Sequence, residues 1–136
     1  MSTSTPPVAA IDCGTNSIRL LIASLDEQGG LVEHARKLEL ARLGQGVDAT
    51  GAFHPDALQR TFDACEKYRH LIEASGCDTI RFVATSAARD VSNRDEFCGS
   101  VSCMTTHPLQ NRRIRHGPSS PVCWTTVRWT WPRPAP

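Results

Sequence analysis

IDCGTNSIRLLIA, residues 11–23, sets an aspartate and a bend of small polar residues ahead of an apolar run. The bend reads in two ways. Gly14 and Asn16 tolerate the backbone angles of a tight turn, so VAAID and SIRLLIASL would be two strands of a hairpin. The same residues suit a phosphate. Successive N–H groups converging in a turn make an anion-binding concavity, and glycine lets an oxyanion approach the backbone. Asp12 would not touch a phosphate directly, since both are anionic; its use there is to hold a hydrated divalent cation between them. Taken alone, the stretch favours the plain turn.

Outward from this hairpin the pattern continues. Residues 1–7 contain two prolines and are expected to be disordered. DEQGG supplies turn chemistry, and LVEHARKLEL can return as a third strand, although Ala, Lys and Glu also suit a helix. The placement of the turn residues decides for strand. ARLGQGVDATGAFH, with three glycines, reads as loop. From Pro55 to about Ser75 the period becomes helical: Leu58, Phe62, Cys65, Tyr68 and Ile72 fall on one stripe. Pro55 and Asp56 suit the first turn, and Gly76 suits the end. DTIRFVAT is a strand, and SAARDVSNRDEF a loop entering another helix. Three strands, a helix, a strand and a helix predict an α/β domain.

The 136 residues, 40% hydrophobic, make one domain with a modest core. Charge is unevenly spread. Residues 1–97 carry ten Lys/Arg against fourteen Asp/Glu, a net of about −4, whereas residues 98–136 carry five Arg and no acid, about +5. That tail also holds six of the nine prolines and all three tryptophans. No period survives in it for long, except around WTTVRW. The six cysteines form no CxxC pair, the N-terminus lacks a basic start and apolar core, and no apolar run could span a bilayer. Reduced thiols, a cytoplasmic location and no membrane partner are therefore expected. Cys98, Cys103 and His107 lie within reach of a shared zinc, but the ligand set is incomplete. His34, His54 and His70 show no partner at a meaningful spacing.

A second candidate site is Thr85-Ser86-Ala87-Ala88-Arg89-Asp90, directly after a strand. Hydroxyls and a guanidinium at a strand end suit phosphate, and ligands of open α/β sheets gather beyond strand ends. An Arg89–Asp90 or Arg89–Glu96 surface pair is the simpler alternative.

AAIDCGTNSIRLLIA, ARLGQGVDATGAFHPDAL and RFVATSAARDVSNRDEF, in this order, resemble the N-terminal part of the exopolyphosphatase/guanosine pentaphosphate phosphatase family over about residues 8–97. The first loop alone is weak as a signal; with ATSAARD some seventy residues later it is specific. The resemblance implies the N-terminal half-domain of the actin-like ATPase (ribonuclease H-like) fold, truncated, followed by an irregular tail over 98–136. It implies a magnesium-dependent phosphohydrolase releasing terminal phosphate from inorganic polyphosphate or guanosine pentaphosphate, with homodimers among full-length relatives. Carried over by position, Gly14, Thr15, Asn16 and Ser17 would bind phosphate together with Ser86 and Arg89, and Asp12 would hold Mg2+.

The chain also departs from the family. An acidic segment resembling SGEEEAR, which supplies the water-activating glutamate, and a second loop resembling DIGGGSTE are both missing. No acid follows residue 97, so the tail cannot supply that base. The resemblance therefore predicts an inactive, marginally stable and aggregation-prone chain. The tail's composition suggests a reading-frame shift near residue 98. Tryptophan is encoded only by TGG and threonine by ACN, so reading both Trp-Thr pairs from the third base restores aspartate, GAC. Genomic sequence beyond the Phe97 codon checks this: no shifted frame with an acidic EEAR-like continuation would remove the idea. Three other functions compete. A non-catalytic phosphate-binding module would bind polyphosphate without turnover. A sugar-kinase-like ATP user is opposed by ATSAARD. Nucleic-acid binding through the Arg/Trp tail, the least expected, would be lost on tail deletion.

Overall fold

The computed structural model describes residues 5–77, 79–84, 91–97 and 123–128. Five strands form one mixed sheet in the order β3-β2-β1-β4-β5. They are β1 (Val8–Cys13), β2 (Ser17–Leu25), β3 (Leu31–Leu40), β4 (Thr79–Ala84) and β5 (Cys123–Arg128). Strands β1, β2 and β3 are an antiparallel meander, and β4 returns parallel to β1 after the long helix α2 (Pro55–Ser75). A parallel neighbour requires such a crossover, whereas the meander needs only short turns.

The β2–β3 turn is built by Asp26. Its Oδ1 accepts from the N–H groups of Gln28 (2.9 Å) and Gly30 (2.7 Å), and Gly29 takes a φ of +79° that a side chain would resist. Strand therefore wins over helix for residues 31–40. Further along, Ile22 pairs with Ala35 but Ala23 with Glu33, so β3 carries one extra residue, His34. This bulge has two effects. It turns His34 so that its Nε2 lies 2.8 Å from Ser24 Oγ, and it twists an edge strand that would otherwise offer ten residues for pairing. His34 thus has a partner that its sequence spacing did not suggest.

Helix α2 matches its expected bounds and stripe. Pro55 opens it, and His54 caps it by accepting from Asp56 N–H through Nδ1 at 3.1 Å, correcting the expectation that His54 lacks a partner. Gly76, at φ +65°, closes it. The N–H groups of Gly76 and Cys77 bond the carbonyls of Glu73 and Ile72, which satisfies two otherwise orphaned acceptors. His70 is exposed, 3.5 Å from Glu66.

Leu58, Cys65, Tyr68 and Ile72 of α2 pack on Ile11, Cys13, Ile18, Leu20 and Ile22 of the sheet, all buried. Tyr68 hydroxyl donates to the Ile18 carbonyl at 2.8 Å, so its one polar atom is satisfied inside the core. Around the start of α2, a short helix α1 (Val47–Thr50) occupies part of the stretch expected to be loop. Phe97 packs on Phe53 with centroids 5.2 Å apart, while the Asn93 side chain bonds both the N–H and the C=O of Phe53. These contacts fasten residues 91–97 beside the helix.

Within the tail expected to be irregular, Cys123–Arg128 pairs antiparallel with β4, in the stretch whose pattern was periodic. On the sheet face away from α2, Val8, Leu25, Leu31, Leu38 and Leu40 are among the exposed large apolar residues along the strands.

Candidate functional site

The turn between β1 and β2 is held open by its neighbour. Gly14 N–H donates to the Ser17 carbonyl at 2.9 Å, which leaves Thr15 and Asn16 at the tip. The segment after β3 then binds that tip: Arg42 N–H donates to the Asn16 carbonyl and Gly44 N–H to the Thr15 carbonyl, each at 2.8 Å. A trans peptide points its N–H opposite its C=O, and the described residues contain no cis bond. Tying the Thr15 carbonyl to Gly44 therefore turns the Asn16 N–H away from Gly44. Among the described residues, the N–H groups of Thr15 and Asn16 donate to nothing. The Thr15 and Ser17 hydroxyls and the Asn16 amide also have no hydrogen-bond partner among them. The tip's acceptors are spent and its donors are available. That is the electrostatic signature of an anion cradle rather than of a turn satisfied within itself.

Two features of the supporting segment show how closely it is fitted. Arg42 adopts a φ of +49°, an uncommon angle for a residue with a side chain, and so turns the chain across the tip. A Cβ added at Gly44 would lie 3.2 Å from Thr15 Cβ, so glycine is what permits this approach.

Strand alternation separates the neighbouring residues. Ile11 and Cys13 face α2, whereas Ala10 and Asp12 face the bare side. Asp12 is exposed, directly across from Arg19 on β2 and Val83 on β4. The Asp12 carboxylate and the Arg19 guanidinium make no ion pair with each other or with another described residue. Arg19 was not singled out in the sequence, where it reads as a polar member of an alternating strand; the available signal was an arginine on the same strand phase as the loop's aspartate.

Cys13 adjoins the loop but belongs to the core. Burial, then the neighbouring Cys65 thiol and the Asp12 carboxylate, push its pKa up to about 12, and burial does the same to Cys65. A thiol so held remains protonated and is not a nucleophile at neutral pH.

Ser86 and Arg89 lie outside the described residues, as do Cys98, Cys103 and His107. The candidate site is therefore Asp12 through Ser17, with Arg19 beside it. Among the described residues no group of three His, Cys, Asp or Glu side chains could hold a metal. A single exposed carboxylate fits a cation that keeps its waters and takes remaining ligands from phosphate, and does not fit a closed protein cage. No described helix is long and apolar enough to cross a membrane.

The chain is similar to proteins of known family. Exopolyphosphatase 2 of Mycobacterium tuberculosis is 55% identical over 93 residues, 66% of this chain and 29% of that protein. The guanosine-5'-triphosphate,3'-diphosphate pyrophosphatase of Vibrio cholerae is 30% identical over 106 residues, 78% of this chain and 21% of that one. The crystal structure of the Aquifex aeolicus Ppx/GppA family member superposes with a TM-score of 0.68 at 32% identity, covering 71% of this chain and 31% of its own. The chain thus spans less than a third of the length of these relatives, and its sheet is part of their actin-like ATPase-type fold. Residues 21–110 match the model of the Ppx/GppA phosphatase family, reaching beyond the limit near Phe97 that the sequence motifs suggested, and the chain belongs to that family.

Proposed function

We propose that this chain is one phosphate-binding wall of an exopolyphosphatase-type phosphohydrolase, acting on the terminal phosphate of inorganic polyphosphate or guanosine pentaphosphate. The observation that carries the proposal is the turn tip, whose carbonyls are engaged by Arg42 and Gly44 and whose Thr15 and Asn16 N–H groups face no described partner. Gly14, Thr15, Asn16 and Ser17 receive phosphate oxygens, and by family resemblance Ser86 and Arg89 join them. Asp12 holds magnesium, which when bound neutralises phosphoryl charge. The exposed aspartate beside the loop supports this, as does the water-rich coordination that magnesium prefers.

The 136 residues bind without turning over. Hydrolysis needs a group that takes a proton from the attacking water, and no acidic residue occurs after residue 97 to serve. The buried cysteines Cys13, Cys65 and Cys77 form no disulfide among the described residues, which supports a reducing, cytoplasmic setting.

The experiment is calorimetric titration of the full chain with polyphosphate, with and without Mg2+, alongside an assay for released orthophosphate. Binding that Mg2+ strengthens, with no release, is the expected result. Gly44→Val, which presses on Thr15, is expected to weaken binding about tenfold, equivalent to about 1.4 kcal/mol. Affinity unchanged in that variant would remove the loop from the account, and steady phosphate release would overturn binding without turnover.

A further inference from the structure

The apolar residues of the bare face are not spread evenly. At the end of the sheet opposite the Asp12–Ser17 loop they gather around a shallow hollow of ≈ 520 Å³. Val8, Ala10 and Ala23 are its small residues, and the larger Leu21, Leu25 and Leu31 surround them. Val8 and Leu25 are each 44% exposed and Leu31 is 66% exposed, and none of the residues lining the hollow is charged. One rim is fixed by backbone. Thr5 N–H donates to the Leu25 carbonyl at 3.1 Å and Leu25 N–H to the Thr5 hydroxyl at 2.8 Å, which holds Pro6 beside the hollow. An apolar concavity of this kind marks an interaction surface.

The chain delivers an occupant to its edge. Strand β5 runs antiparallel to β4, and its last residue, Arg128, pairs with Thr79, which lines the hollow. The stretch that follows, WTWPRPAP (129–136), lies outside the described residues. Its sequence does not suit a longer β5, because Pro132 and Pro134 have no N–H to donate to a ladder. Each proline also drives the residue before it into an extended conformation, so Trp131 and Arg133 favour a stiff, polyproline-like run. Packing decides which face is open to that run. On the α2 side this end of the sheet is closed by Ile72, Cys77 and Ile80, all buried. Reach fits as well: three extended residues beyond Arg128 cover ~10 Å, and two strand spacings, from β5 over β4 to β1, are also ~10 Å. Charge favours the same contact. Residues 98–136 carry five Arg and no acid, against ten Lys/Arg and fourteen Asp/Glu in residues 1–97.

We infer that residues 129–136 dock in this hollow, with the Trp131 indole over Val8 and Ala10 and the prolines beyond it against Leu25 and Leu31. The tail then covers part of the face that the truncated domain leaves to water. An indole suits the role because it brings a large apolar area and has only two torsions to fix. Tethering makes a weak contact sufficient, since a segment held a few residues away acts at millimolar effective concentration, whereas a second copy must be supplied from solution. The contact does not depend on the phosphate reading.

The test is acrylamide quenching of Trp131 in the full chain at submicromolar concentration, isolated as the difference from Trp131→Phe. It is read in the natural sequence, in Leu31→Asp and in Leu40→Asp, with circular dichroism to check each fold. Trp131 in the native chain is expected to be about threefold less quenchable than in urea. Leu31→Asp should remove that protection. Leu40→Asp should not, because Leu40 is exposed on the same face but lies outside the hollow. In the unsubstituted, isotope-labelled chain, NOEs from the Trp131 indole to the Val8 and Leu25 methyl groups are expected within one molecule, a readout that needs no variant. Quenching equal to that in urea, or no such NOEs, would overturn the inference. So would equal relief by both leucine variants, which would place the indole elsewhere. Protection that grows with concentration, or NOEs found only between differently labelled copies, would overturn it in favour of a second copy of the chain.

Discussion

The two faces of this sheet share the same strands and differ in almost everything else. Toward α2, Ile11, Cys13, Ile18, Leu20 and Ile22 are sealed beneath the helix, each at most 2% exposed. Away from it, Ala10, Asp12, Arg19 and Arg81 stand on the intervening positions with no helix over them among the described residues. A period of two lets one strand serve both purposes, since successive side chains point to opposite faces. The covered face supplies stability through apolar burial, while the bare face is free to keep charges that a core could not hold. The lesson is a division of labour: changes on the α2 side should alter folding, and changes on the bare side should alter phosphate affinity.

The sharpest way to break that division is Leu20→Ala. It removes a buried side chain from the centre of the covered face and is expected to cost about 2–5 kcal/mol, read as a shift in urea midpoint. Phosphate affinity of the folded fraction should be unchanged; a matching loss of affinity would show that the faces are not separable.

Alkaline titration is the next largest effect. Burial, followed by the Glu39 charge, pushes the Tyr68 hydroxyl up to about 12, and burial holds the Cys13 and Cys65 thiols near 12 as well. Each raised pKa means that the neutral form is favoured in the folded state. The corresponding unfolded groups ionise near 9 for the thiols and 10 for the tyrosine. Their contribution is therefore complete below about pH 9 and is lost as pH rises toward 12. Thermal melts across that range should show a falling midpoint, and Tyr68→Phe should flatten its upper part. A midpoint level to pH 12 would contradict the buried cluster.

Lys67→Ala marks the small end of the scale. Lys67 reaches Glu39 at 3.4 Å, but the lysine side chain is 63% exposed, so the expected change is no more than about 0.5 kcal/mol. A larger loss would mean that α2 is fastened to β3 by charge rather than by packing.

Much of this fold was legible in the sequence because its signals were local. Short apolar runs on either side of a polar bend gave β1 and β2, Asp26 and the glycines after it gave the turn into β3, and Pro55 and Gly76 bracketed α2. What escaped depends on contacts between distant residues. Helix α1 spans only four residues between Gly46 and Gly51, too few to show a period. The partner of His34 follows from a bulge, which no spacing rule reveals. The capping role of His54 was equally hidden, because histidine is not among the preferred caps. At the site, Asp12 through Ser17 were legible by composition. The arrangement that would suit them to an anion was not: it depends on Arg42 and Gly44 engaging the tip carbonyls from beyond β3. Arg19 became visible only when the register set it across from Asp12.

The most direct test of the central claim is backbone amide NMR of the 15N-labelled chain titrated with tripolyphosphate in Mg2+. The account predicts that the largest shifts fall on the Gly14, Thr15, Asn16 and Ser17 amides, with the resonances of buried α2 residues such as Tyr68 left in place. Shifts centred on α2, or a titration that leaves the Thr15 and Asn16 amides unmoved, would contradict it.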